Sequence, residues 1–123
     1  MATRSYISKQ LSDGSLTGIY CHWDGHPDSV GATLQKHYTD PTKVDALLAL
    51  GSISSLEPEL GEKHDFDAPT KGWTIAYHRD RGEELDPPVV YSTLRDMLRS
   101  VGSDLNAEYA YVFVSPHWEF YEV

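Results

Sequence analysis

The stretch Tyr20-Cys21-His22-Trp23-Asp24-Gly25-His26-Pro27 constrains the fold more than any other part of the chain, because it gathers chemically distinctive side chains and then forces a stop. Gly25 and Pro27 both oppose a continued strand, so extended chain arriving from Leu16 has to end here. Upstream, Ser5-Tyr6-Ile7-Ser8, the turn formers Ser12-Asp13-Gly14-Ser15 and then Leu16-Thr17-Gly18-Ile19-Tyr20 predict a hairpin, since Asp-Gly supplies the positive φ angles of a tight turn. Alternation along its second strand places Ile19, Cys21 and Trp23 on one face, which is the expected core face. Tyr20, His22 and Asp24 are then displayed together on the other.

Beyond the stop, Asp28 or Ser29 is placed to cap a helix through His37, with Val30, Leu34 and Tyr38 on one stripe. Asp40-Pro41 pairs an N-cap carboxylate with a first-turn proline, and Val44, Leu47, Leu48 and Leu50 carry that second helix to Gly51. Residues Ser52 to Lys71 lack a sustained period and predict a loop with one short extended piece from Ile53 to Leu56. Gly72 opens an expected strand from Trp73 to Arg79. Ser92 is the expected cap of a third helix carrying Leu94, Met97, Leu98 and Val101, with Gly102 as its stop. Glu108 to Val114 and Trp118 to Val123 predict paired strands, the first covered on both faces. A chain of 123 residues of this kind is expected to form one domain, 1–123, of the α+β class. The expected architecture is a single mostly antiparallel sheet of four to six strands with about three helices packed chiefly on one face.

The formal net charge of −9 opposes direct binding of nucleic acid, which needs clustered Lys and Arg, and opposes binding to anionic membranes. Between Glu57 and Asp86, Glu57, Glu59, Glu62, Asp65, Asp67, Asp80, Glu83, Glu84 and Asp86 face only Lys63, Lys71, Arg79 and Arg81. Such a run is commonly a solvated face, and it also makes a surface for a basic partner. No apolar run approaches the ~18 residues of a membrane span, and no signal-peptide stretch is present, so the expected location is the cytosol. Cys21 is the only cysteine, which excludes an intrachain disulfide and predicts a buried structural thiol.

Two segments carry candidate chemistry. His22, Asp24 and His26 occupy alternate positions, a spacing that permits a divalent metal, although a structural role for such residues beside a turn is commoner. His78-Arg79-Asp80-Arg81-Gly82-Glu83 follows an expected strand, where Arg79 and Arg81 are placed to clamp an anion or to pair locally. If the segments met, Tyr20, His22, Asp24, His78 and Arg79 would surround one cleft suited to general acid and base work. The sequence holds no phosphate-binding glycine loop, nucleophile elbow, His-Glu-x-x-His or cysteine pair, and no cofactor is expected.

The pattern Tyr20-x-His22-Trp23-Asp24-Gly25-x-Pro27, followed by Gly31, Leu34, His37-Tyr38, Leu50-Gly51-x-Ile53-Ser54-Ser55-Leu56, Gly72, Ala76-Tyr77 and Arg79-Asp80-Arg81-Gly82-Glu83, resembles a family of small acidic proteins. Its members are encoded by bacteriophages, prophages and other mobile elements, and the family carries no settled activity. The resemblance implies an accessory protein of the host cytosol that binds a host or phage protein with a basic surface. Glu57, Glu59, Glu62, Asp65, Asp67, Asp80 and Glu83 would make the contact, with inhibition of a nucleic-acid-handling protein as one outcome. Where this chain has His26 the family is expected to carry an aromatic residue, which weakens a three-ligand metal site. The alternatives are a small enzyme or metal- or ligand-binding protein using the His/Asp/Arg cleft, and an assembly component that docks through the Trp118 to Tyr121 aromatics.

Overall fold

The computed structural model describes residues 2–123. Strands β1 (Ser5–Gln10) and β2 (Leu16–Cys21) form the expected antiparallel hairpin, with Tyr6 opposite Tyr20 and Ile7 opposite Ile19. Asp13 closes the turn by accepting from the Ser15 amide at 3.0 Å, and Gly14 takes a φ of 88°. Within the pair, Gly18 has no room for a side chain. A Cβ there would sit 2.2 Å from the Ile7 carbonyl oxygen.

After β2 the chain makes a π-helical turn over Pro27–Gly31, which runs directly into α1 (Ala32–His37). Neither Asp28 nor Ser29 caps this segment; the cap position falls on His26, which makes no side-chain capping bond. The Asp40-Pro41 signal does start α2 (Pro41–Ala49), with Asp40 accepting from the Thr42 amide at 2.9 Å. Strand β3 (Ile53–Ser55) follows, then a long loop, then β4 (Ile75–Ala76). The strand expected from Trp73 to Arg79 is cut to those two residues, because the chain turns at Tyr77 into a short helix, α3 (Tyr77–Arg81). Strand β5 (Val90–Tyr91) precedes α4 (Leu94–Asp104), which is capped by Thr93 and not Ser92 and continues through Gly102. Strands β6 (Tyr109–Val114) and β7 (His117–Glu122) complete the chain as the expected aromatic hairpin.

The seven strands of the described residues join one sheet in the order β4-β3-β2-β1-β6-β7, with β5 set beside β2. Four of the six pairings are antiparallel; β1 with β6 and β2 with β3 are parallel. The fold is therefore α+β with a mostly antiparallel sheet, but with more strands and helices than expected. The helices also do not gather on one face. Val30, Leu34, Tyr38, Val44 and Leu47 of the first helical region pack on Ile7, Ile19, Cys21, Tyr111 and Phe113, whereas Met97 and Val101 of α4 pack on Tyr6, Leu16, Ala110 and Val112. Successive residues of β1 and β6 point to opposite faces, so each strand feeds both clusters. Burial of each large aliphatic side chain contributes roughly 1.5–3 kcal/mol, and the two layers together fix the sheet from both sides.

Cys21 is fully buried in the first cluster, as expected of a structural thiol. Trp23 is a correction: it is 44% exposed, because the strand ends at Cys21 and the following residues hydrogen-bond to the strand that starts at Ile53. Among the described residues no helix is long and apolar enough to cross a membrane.

Candidate functional site

The end of β2 delivers Tyr20 and His22 to one place. The Tyr20 hydroxyl and His22 Nδ1 lie 2.7 Å apart, and the His22 ring meets Trp23 edge to face at 4.6 Å. Burial, and then the positive charge of Arg4, lowers the His22 pKa below that of an ordinary imidazole. Burial raises that of Tyr20. Asp24 leaves this face because its backbone turns into the left-handed region, with a φ of 57°. His26 belongs to a third neighbourhood, where its Nε2 lies 2.9 Å from the Thr3 hydroxyl and its ring packs against Tyr109. The alternate spacing of His22, Asp24 and His26 is thus not carried into space, since the strand stops before it reaches Asp24. Among the described residues no group of three His, Cys, Asp or Glu side chains is placed to hold a metal ion.

The second segment is organised by Asp80, whose side chain is completely enclosed. It accepts from the amides of Ala76 at 2.8 Å and His64 at 3.2 Å and from the Arg79 guanidinium. Burial pushes its carboxyl up, but Arg79 and the two amides together outweigh that and hold the pKa below the usual aspartate value. Arg79 also donates to the carbonyls of Leu60 and Thr74 at 2.8 and 2.6 Å. Both members of the expected anion clamp are consequently occupied, Arg79 by this network and Arg81 by its ion pair with Glu83 and its stacking on Phe66. Asp80, expected on a partner surface, is instead an interior brace.

His64, which no sequence signal placed, completes the brace. The Thr70 amide donates to its Nδ1 at 2.9 Å, so the proton sits on Nε2 and is directed at the Thr74 carbonyl, 3.0 Å away, and at Asp80, 3.2 Å away. His64 thereby ties the long loop to the Thr74 carbonyl and to the Asp80 carboxylate.

The two motif segments meet at one point only. Tyr20 from β2 and Tyr77 and His78 from α3 line a cavity of about 240 Å³. His78 Nδ1 donates to the Glu83 carbonyl at 2.7 Å, which leaves Nε2 without a hydrogen-bond partner among the described residues. His22, Asp24 and Arg79 are not part of this lining.

The acidic stretch remains on the outside. Glu59, Glu62, Asp65, Asp67, Glu84 and Asp86 are exposed, and Glu57 is half-buried with its pKa raised by burial and by the charge of Asp24. None of these carboxylates has an ion-pair partner among the described residues. Nearby cations are drawn away from them: Arg79 and Arg81 as described, and Lys43 to the Pro58 carbonyl at 2.8 Å and over the Tyr38 ring.

A larger cavity of about 630 Å³ adjoins the small one at Tyr20, Ser52, Leu85 and Asp86, which line both. It lies along the edge of β2 between β3 and β5, and sequence reading misses it because both flanking strands are very short. No family model matches the chain, and comparison with curated proteins and with solved structures finds no significant match.

Proposed function

We propose that this protein is a non-enzymatic binding module that engages a partner protein with a basic surface through Glu57, Glu59, Glu62, Asp65, Asp67, Glu84 and Asp86. One observation carries the reading: the arginines of this stretch are spent on carbonyls, on Asp80, on Glu83 and on aromatic rings, while those seven carboxylates have no ion-pair partner among the described residues. Lys63 and Lys71 are the remaining exposed cations of the stretch, so its field is strongly negative and steers a cationic surface toward it. The likeness to phage and mobile-element proteins supplies the context, an accessory protein that occupies a host or phage protein and, where that protein handles nucleic acid, inhibits it.

The test is affinity capture from nuclease-treated bacterial lysate at low and high salt, comparing the wild type with a triple charge reversal of Glu62, Asp65 and Asp67 to lysine. A protein retained at low salt, released at high salt and lost by the reversal supports the acidic face. Retention that ignores both changes sinks it.

A second reading is favoured by the meeting of Tyr20 and His78. It is a ligand-binding or catalytic role for the small cavity, with His78 Nε2 as the group that exchanges a proton. His78→Ala would then abolish a ligand contact or phenotype while leaving charge-dependent capture intact.

A further inference from the structure

The sheet has an open edge in its interior. Strand β3 meets β2 at Cys21, and β5 meets it at Leu16 and Thr17, so no strand pairs with Gly18, Ile19 and Tyr20 on that side. The His22 amide donates to the Ile53 carbonyl at 3.1 Å across this same edge. Hydrogen-bonding groups of alternate residues share an edge, so Gly18 also turns its carbonyl into the gap, while the Tyr20 carbonyl serves the bridge to Ile53. A strand added here would collide with β3 or β5 after about three residues at ~3.3 Å each, which argues against an extended peptide as the occupant.

Volume and charge say what fits. A cavity of about 630 Å³ falls in the range of small-molecule sites, roughly 300–1,000 Å³, and is far larger than one amino-acid side chain requires. Leu48, Leu85 and Val89 give it apolar walls, and Tyr91, set edge to face against Tyr6, adds an aromatic one. Its charged groups are Asp45, Asp86, Asp104 and Lys9, and the lysine is already committed to Asp45 at 2.6 Å. An anion would meet uncompensated carboxylates here. An ammonium or guanidinium would find acceptors in Asp86, Asp104 and the Gly18 carbonyl, and an aromatic face in Tyr91.

We propose that the gap between β3 and β5 is a binding site for a small amphipathic cation, an apolar body bearing an amine or guanidine head. The site is independent of the acidic protein-binding face except for Asp86. The experiment is a titration of the ¹⁵N-labelled protein, followed by amide NMR, with four probes sharing one tail: 4-phenylbutylguanidine, 4-phenylbutylamine, 4-phenylbutanol and 4-phenylbutyrate. The two cations are expected to shift the amides of Gly18, Tyr20 and Tyr91 saturably, the alcohol to bind about tenfold more weakly, and the carboxylate not to bind. Asp86→Asn combined with Asp104→Asn, both at exposed positions, is expected to weaken the amine about tenfold while leaving the remaining amide spectrum unchanged. No saturable shift with either cation, equal binding of the alcohol or carboxylate, or an unchanged affinity in the double variant would each overturn the proposal.

Discussion

Arg79 and Asp80, adjacent in the chain, grip each other through two contacts, Nε to Oδ1 at 2.9 Å and Nη2 to Oδ2 at 3.1 Å. The same carboxylate holds the Ala76 amide where α3 begins, and the same guanidinium holds the carbonyls of Leu60 and Thr74. One buried pair therefore ties a strand end, a helix start and the long loop together. Removing one partner of a buried pair typically costs about 3–5 kcal/mol, since the other is left uncompensated. Asp80→Ala is expected to lose about that much in urea unfolding, whereas reversal of exposed Glu62 is expected to change stability by less than about 0.5 kcal/mol.

Acid should weaken the fold in two steps. His22 has a lowered pKa in the folded protein, so its contribution is complete above the unfolded value of about 6.5 and declines as pH falls from there through the folded value. Asp80, also lowered, contributes fully above about 3.9 and loses that contribution as pH falls further. Urea midpoints measured against pH are expected to flatten in the upper step for His22→Gln and in the lower step for Asp80→Asn.

Burial raises the Cys21 thiol to about 12. Reaction requires the thiolate, so the native protein at pH 8 is expected to resist a disulfide reagent and to react only as fast as it opens. A rapid stoichiometric reaction in the absence of denaturant would show that the thiol is accessible.

Gly18 is fixed by contact with β1, where a Cβ would meet the Ile7 carbonyl and Ser8 Cα at 2.2 and 2.6 Å. Both are backbone atoms and cannot swing aside. Gly18→Ala is expected to separate the hairpin locally, cost at least 2 kcal/mol on the order expected for overpacking, and lower the thermal midpoint.

The elements that were legible in the sequence are those whose signals are local. Asp13-Gly14 marks the first turn, Asp40-Pro41 marks the start of α2, and alternating Tyr109 to Val114 marks a strand buried on both faces. Parallel pairing of β1 with β6 leaves no local trace, because each strand reads the same whichever neighbour it takes. The two-residue β4 and β5 fall below any periodicity test. The alternation of Trp73, Ile75 and Tyr77 suggests a long strand, but the Asp80 carboxylate takes the Ala76 amide and starts a helix instead. At the candidate site, the closeness of Tyr20 and His22 follows from their spacing. Their separation from Asp24 and Arg79 follows from a left-handed residue and a buried carboxylate that only the tertiary structure reveals.

The parallel register of Ser5 with Tyr109 and Lys9 with Phe113 places the centre of the sheet in the hands of segments nearly a whole chain apart. Before they meet, a loop of almost the full chain length has to close, and such distant contacts slow folding at a given stability. On the ribosome, β1 waits with one edge bare until Tyr109–Val114 emerges, and until then Ile7 and Cys21 lack Tyr111, Phe113 and Trp118 as core neighbours. Cooperative folding is thus deferred until Tyr109–Val114 has been made, and the nascent hairpin is the species most open to pairing with the wrong strand.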